Sequence, residues 1–387
     1  MSSETHTAPG ATAAGHGPLR GIRVIEMAGL GPAPFCGMLL ADMGAEVIRI
    51  ARIGADAGKP LALTERGKHT LGLDLKHPDA VALALDLIGQ SDVLIEGFRP
   101  GVMERLGLGP QVCQERNPRL VYGRMTGWGQ AGPLAQAAGH DLNYIAITGV
   151  LQAMGEADRP PAPPLHLVGD LAGGAMMLAW GIACALFESR GSAQGQVIDA
   201  AICDGVAALS TSYHDPVLEW TPQRQANMLD GGAHFYGCYA CADGRFVSIG
   251  PIEPQFYALL LARCGIVDPQ FESQWNRAEW PALRAKLSLM FQQKTQAQWC
   301  ELLEGTDVCF APVLDFAEAT RHPHLVAREV FMSQDGRTVP APAPRLSRTP
   351  ARAGSMAAPI ADAGALLERL GCPAQEAERL RAAGVLG

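Results

Sequence analysis

Hydrophobic positions along the chain follow two rhythms. Short runs dense in Val, Ile and Leu recur at Gly21–Met27, Ala45–Ile50, Leu71–Leu75, Asp92–Ile95 and Arg119–Gly123. Between them, Phe35–Met43 and residues 79–90 carry apolar positions at helical spacing. Short apolar runs suit strands buried on both faces, and strands alternating with helices predict a parallel sheet in an α/β domain. The uncharged stretch Leu171–Phe187 and the run Gly195–Ala200 predict a further helix and strand that close this domain. Seventeen residues without charge touch the lower limit for crossing a bilayer. Gly173, Gly174 and Gly181 interrupt them and polar residues flank them, so a buried core helix is expected and no membrane span.

A second unit begins near Ala233. An alternating run meets Ala242-Asp243-Gly244, a hairpin turn signal, and helices are expected near 254–264, 280–292 and 296–304. The expected layout is a mobile tail over 1–18, a large α/β domain over 19–208 and a linker over 209–232. A small domain over 233–328, a Pro-rich linker over 329–350 and a C-terminal segment over 351–387 follow. That last segment carries a helical tail from Asp362 to Ala383.

Composition narrows the function classes. The chain has 387 residues, 31 Lys and Arg against 39 Asp and Glu, and a formal charge of −8. An acidic chain lacks the basic face that phosphate backbones require, so nucleic acid is not an expected partner. An apolar share of 48% with 18% charged residues excludes disorder. Ten cysteines are scattered and read as reduced core residues of a cytoplasmic protein. Cys238 and Cys241 form a single C-x-x-C with no second ligand pair, so a strand pair is expected there rather than zinc. The first residues lack an apolar signal region, and Gly384-Val385-Leu386-Gly387 is not a peroxisomal address.

The turn after the first strand, Ala28-Gly29-Leu30-Gly31-Pro32-Ala33-Pro34, has proline where a dinucleotide fingerprint needs its third glycine. The second strand ends in Arg49 and Arg52 rather than the acid that would take a ribose hydroxyl. Arginine there suits phosphate. Lys76, Arg99 and Arg105 lie beyond later strands, where ligands gather in α/β sheets. A polyphosphate ligand such as coenzyme A fits these cations.

Three places hold candidate proton carriers: His140-Asp141 in a small-residue loop, Asp170 at the head of the uncharged stretch, and Glu253 after a strand of the second unit. Asp170 also has the character of an ordinary helix N-cap. Desolvation beside an apolar helix would raise its pKa, whereas the helix dipole would lower it.

The stretches Leu19–Glu26, Asp92–Gly101, Arg124–Gln130, Gly139–Tyr144, Asn227–Gly232 and Ile252–Tyr257 resemble the α-methylacyl-CoA racemases of the class III CoA-transferase superfamily. The resemblance runs from about residue 18 to 350 and implies an interlocked two-ring homodimer whose large domain takes back the C-terminal segment. It implies that His140, assisted by Glu253, and Asp170 are bases on opposite faces of the substrate, with Asp141 near the thioester. Arg52, Arg99 and Arg105 would contact CoA, with backbone help from Leu73, Asp74, Leu75 and Lys76. CoA then belongs to the substrate, and no separate cofactor or metal is expected. Inverting a centre α to a thioester needs a proton taken from one face and returned to the other, which one imidazole and one carboxylic acid can do. The alternative is a CoA-transferase in which Asp170 is a nucleophile forming an aspartyl-CoA thioester. The Gly250–Gln255 sequence, Gly-Pro-Ile-Glu-Pro-Gln, favours racemisation because transferases of the superfamily tend to carry a glycine-rich loop there.

Overall fold

The computed structural model describes residues 16–55, 60–356 and 363–387. The expected tail therefore lies outside the described residues up to residue 15. Two compact units emerge: a large one containing the chain up to Ile145, His166–Leu209 and Met332–Gly387, and a small one of Ala146–Leu165 and Ser210–Phe331.

The large unit starts with β1 (Arg23–Met27), α1 (Pro32–Asp42), β2 (Glu46–Ala51), β3 (Lys68–Gly72), α2 (Pro78–Gly89) and β4 (Val93–Glu96). Next come α3 (Val102–Arg105), α4 (Pro110–Arg116), β5 (Val121–Thr126) and α5 (Asp141–Ala146). A long helix follows, wound as π-helix over Leu167–Met176 and as α-helix over α6 (Met177–Ser192), then β6 (Val197–Ala201) and α7 (Ile202–Leu209). The six strands are all parallel, in the order β3-β2-β1-β4-β5-β6. The winding reverses between β1 and β4, so a crevice opens there at the strands' carboxyl ends.

Two details differ from the expected pattern. The third strand covers Lys68–Gly72 rather than Leu71–Leu75, with Lys68 opposite Val47 and Gly72 opposite Ala51. Its first residue is a lysine with a fully buried side chain, which an apolar alternation cannot flag. The long helix begins at Leu167, so Asp170 is its fourth residue and not its cap. That helix is also buried along one face only: Leu178 and Ile182 pack on β5 at Gly123, while Trp180 and Phe187 are 68% and 79% exposed. Its 26 residues are long and apolar enough to cross a membrane, but its inner face is that of a core helix.

The small unit contains β7 (Gly237–Ala240), β8 (Phe246–Ile249), α8 (Pro254–Cys264), α9 (Trp280–Phe291), α10 (Gln296–Leu303), β9 (Phe310–Val313), α11 (Phe316–Ala319) and α12 (Pro323–Ala327). Its sheet is antiparallel, β7-β8-β9, and Asp243-Gly244 turns the first hairpin as its sequence predicts. Cys238 is exposed there and Cys241 buried. Residues 146–165 and the expected linker after 209 belong to this unit. Arg224 ties them together, donating to Glu156 O at 3.2 Å, Gln152 O at 3.2 Å and Arg159 O at 2.6 Å.

Within the Pro-rich stretch expected as a linker, β10 (Phe331–Gln334) and β11 (Arg337–Pro340) form a hairpin. Asp335 and Gly336 turn it, both at positive φ, 49° and 75°. Then α13 (Ala363–Arg369) and α14 (Ala374–Ala382) bury Leu366, Leu367 and Leu380 in the large unit's core. The cysteines are free, but only Cys36, Cys113 and Cys241 are buried; Cys184, Cys238 and Cys309 are exposed.

Candidate active site

The carboxyl end of β1 runs into a turn that closes at Gly31, whose φ of 72° is in the left-handed region. A Cβ built there would lie 3.5 Å from Asp170 Oδ2. Asp170 thus sits against the β1–α1 turn, at the crevice where the sheet reverses its winding.

The wide helical turn carrying Asp170 is closed by Leu171 N–H donating to His166 O at 3.2 Å. π-helical turns are rare and gather at functional sites. The first amides of any helix lack partners within it, and Asp141 supplies one. Its Oδ1 accepts the Asp170 N–H at 2.7 Å. Glycine at 169 makes this approach possible, since a Cβ there would be 2.3 Å from that same Oδ1 and 2.9 Å from Ile145 Cγ2.

Asp141 opens α5, and His140 immediately precedes it. The His140 carbonyl accepts the amides of Asn143 at 2.8 Å and Tyr144 at 3.2 Å, and its own N–H donates to Asn143 Oδ1 at 3.0 Å. The backbone is therefore held at the helix head, while the imidazole is exposed. One turn on, the Tyr144 hydroxyl donates to Gly139 O. Its ring meets Trp128 edge-on with centroids 4.7 Å apart. A cavity of about 220 Å³ is lined by Arg99, Trp128, His140 and Tyr144, with Phe98 and Thr126.

Burial raises the Asp170 pKa, and the negative charge of Asp141 raises it further; His166 and His140 act in the opposite direction. The net direction is the one that desolvation gives. Tyr144 is likewise pushed up by burial and by Asp170, with Arg99 opposing.

The candidate CoA cations lie in the large unit beyond the strands' carboxyl ends. Arg52 after β2, Lys76 after β3, Arg99 after β4 and Arg105 at the end of α3 are all exposed. Arg49 is different: it is 7% exposed and its Nε lies 3.2 Å from Glu65 Oε2, so it serves the interior rather than a phosphate. Leu73 is in the core, and its amide donates to Ala51 O at 2.8 Å. The Asp74 amide donates to Val385 O at 3.1 Å and that of Lys76 to Asp74 Oδ1 at 3.2 Å. Leu75 packs partly against the core.

Glu253 belongs to the small unit, where it is exposed and precedes α8, with Pro254 at the first helical position. His140, Asp141 and Asp170 are brought together; Glu253 stands in the other unit. Sequence reasoning missed Tyr144, Trp128 and His166. The usable signals were spacing, since Tyr144 and His166 each stand four residues from a candidate proton carrier.

Residues 19–364 match the model of CoA-transferase family III. The chain belongs to this family. It is 48% identical over 337 residues to the α-methylacyl-CoA racemase of Mus musculus, covering 86% of this chain and 87% of that one. The α-methylacyl-CoA racemase of Homo sapiens is 45% identical over 336 residues, with the same coverage. The crystal structure of Rv3272 from M. tuberculosis matches with a TM-score of 0.74 at 26% identity, over 89% of this chain and 98% of that one. In this family III member the parallel sheet of the large unit therefore carries a CoA-transferase fold, as the motifs from Leu19 to Tyr257 implied.

Proposed function

We propose that this chain is an α-methylacyl-CoA racemase that interconverts (R)- and (S)-2-methylacyl-CoA by two-base proton transfer through an enolate. The observation that carries this reading is the Asp141-capped turn, which seats the partly buried Asp170 carboxyl beside the helix head that presents His140. In one direction neutral His140 takes the α-proton from one face. The electron pair moves into the thioester carbonyl as an enolate, and protonated Asp170 delivers its proton to the opposite face. In the other direction the roles exchange. Burial holds the Asp170 carboxyl above the usual carboxylate range, the direction a proton donor near neutral pH needs. The enolate oxygen needs preorganised donors, each worth about 3 kcal/mol. Arg52, Lys76, Arg99 and Arg105 would hold the CoA phosphates, so binding energy far from the α-carbon positions the thioester. Glu253 would assist His140 across the two chains of a homodimer.

A CoA-transferase would use the same Asp170 as a nucleophile and must have it ionised; the direction of its pKa speaks for the acid role. Incubation of each pure enantiomer of a 2-methylacyl-CoA in deuterium oxide separates the readings. Racemisation gives label at the α-carbon from both enantiomers; His140→Ala and Asp170→Asn should each abolish interconversion and lose the exchange of the enantiomer whose proton the missing group removes. Transfer of CoA to an added free acid without α-exchange would establish the transferase instead.

A further inference from the structure

Beneath the β1–α1 turn lies a cluster of charges that the chemistry above does not use. Lys68 of β3 and Glu26 of β1 both have fully buried side chains, with Lys68 Nζ 2.8 Å from Glu26 Oε1. The same ammonium lies 3.5 Å from Glu65 Oε2 and donates to the Pro34 carbonyl at 2.9 Å. Arg49 joins through Glu65 at 3.2 Å, and Cys36 is the other titratable group facing the pair. The second oxygen of Glu26 is buried without a hydrogen-bond partner. It lies directly beneath α1, where a Cβ on Gly37 would stand 1.7 Å from it.

Such a cluster is a poor source of stability, because the cost of desolvating its charges offsets their attraction, and apolar replacements are often neutral or better. Its geometry points to another role. Pro34 is the third residue of α1. The turn just ahead of it, at Gly31, faces Asp170 Oδ2, and Pro32 packs on the π-helix at Gly174, where a Cβ would lie 3.2 Å from Pro32 Cβ. The ammonium therefore grips the helical turn against which the carboxyl is seated.

We infer that Lys68 is a positioning residue for proton transfer: held by Glu26 and Glu65, its ammonium fixes the first turn of α1 and through it the placement of the Asp170 carboxyl. This rests on the acid–base role of Asp170 proposed above. Displacing a reacting group by about 1 Å costs on the order of 100-fold in rate, so a small shift of the turn is readable.

The test measures α-deuteron incorporation, KM for 2-methylacyl-CoA, the pH profile of kcat and the melting temperature in the full-length chain. Lys68→Met is expected to lower kcat about 10- to 100-fold with KM nearly unchanged. The limb set by Asp170 should move (the acidic limb in the direction where Asp170 is the base, the basic limb where it is the acid), because the burial and the Asp141 charge acting on it change with its placement. Leu303→Ala, a core truncation in the small unit, is the control for lost stability alone. If Lys68→Met merely melts earlier, with kcat and pH limb like those of the control, the inference is overturned while the reading of Asp170 stands. If Asp170→Asn still interconverts the two enantiomers, that reading fails instead. Should Lys68→Met not fold, Glu26→Gln takes its place: it keeps the side-chain shape and removes the anion holding the ammonium. A fall in kcat at constant KM supports the inference, and an unchanged kcat overturns it.

Discussion

The two units bury different kinds of polarity. Among the described residues, every buried Asp, Glu, Lys and Arg is in the large unit: Glu26, Asp42, Arg49, Arg66, Lys68, Glu96 and Arg124. The small unit buries Ser210, Asn227, His234, Gln274 and Gln296 instead, within a core of aromatic rings. There Tyr239 stacks on Phe291 at 5.0 Å, and the indoles of Trp280 and Trp299 donate to the carbonyls of Gln274 and Phe291, each at 2.8 Å. Large apolar bodies with one satisfied polar tip are an inexpensive way to fill a core. Ion pairs are not, because each charge must be desolvated. The pairs of the large unit tie strands, helix ends and the segment reaching Pro340 to one another. The core of the small unit has only to pack.

The largest effect that would break this contrast comes from Arg66. Its Nε donates to Asp42 Oδ1 at 3.0 Å, Nη2 lies 2.5 Å from Oδ2, and Nη1 reaches Pro340 O at 3.0 Å. Burial already raises the Asp42 pKa against the pull of Arg66. Arg66→Leu strands that carboxylate and is expected to cost about 3–5 kcal/mol, read by denaturant unfolding. Adding Asp42→Leu should recover most of the loss, because the unpaired charge goes with it. In the small unit Trp299→Ala should cost a similar amount through the cavity it opens. A loss below about 1 kcal/mol for Arg66→Leu would mean that the buried charges are solvated after all.

The same contrast explains what was legible in the sequence. Apolar rhythm revealed the parallel sheet, most helix positions and the Asp243-Gly244 hairpin, because those patterns are local. Lys68 was unreadable: its partner Glu26 is 42 residues away, and a lysine at a strand's start looks like a solvated end. The Asp335-Gly336 hairpin carried the same signal as Asp243-Gly244 but was masked by neighbouring prolines. The one-sided burial of α6 and the π-helical turn at Leu167 depend on what packs against them. At the site, His140-Asp141 and Asp170 stood out as titratable groups in small-residue surroundings. Tyr144 and Trp128 did not, since an aromatic ring at helical spacing is usually core. The amide-to-carboxylate contact of Asp170 with Asp141 spans 29 residues and appears only in three dimensions.

A smaller effect sharpens the contrast through pH. Burial raises Glu26 to about 7, with Lys68 opposing, and it raises Asp42 and Glu96 as well. A group whose folded pKa lies above its unfolded value stabilises fully below the unfolded value. Glu26 therefore contributes stability near pH 4.5 that is lost as pH rises through about 7. His234 has the opposite sign: burial, aided by Arg284, lowers it from 6.5 to about 4. Its contribution is full above pH 6.5 and is lost as pH falls toward 4. Between these limits Glu26 should weaken the large unit with rising pH while His234 strengthens the small unit, each group by at most about 3 kcal/mol. Hydrogen exchange followed by mass spectrometry on peptides from the two units resolves the opposing slopes. Parallel slopes would remove the contrast.

The smallest effect tests how the small unit keeps a buried histidine neutral. The Tyr257 hydroxyl has one proton and donates it to Phe271 O at 3.0 Å. Toward His234 Nε2, 2.7 Å away, it must therefore accept. The imidazole proton is then on Nε2, and Nδ1 is left buried without a partner. Tyr257→Phe removes the acceptor for that N–H and the donor for that carbonyl, at a cost of about 1–3 kcal/mol, visible as a lower melting temperature. Nitrogen-15 spectra of the imidazole give an independent reading, with the proton expected on Nε2 in the native protein. A proton on Nδ1 would require the hydroxyl to donate to His234 instead and abandon Phe271, and the neutral relay of the small unit would have to be redrawn from that bond outward.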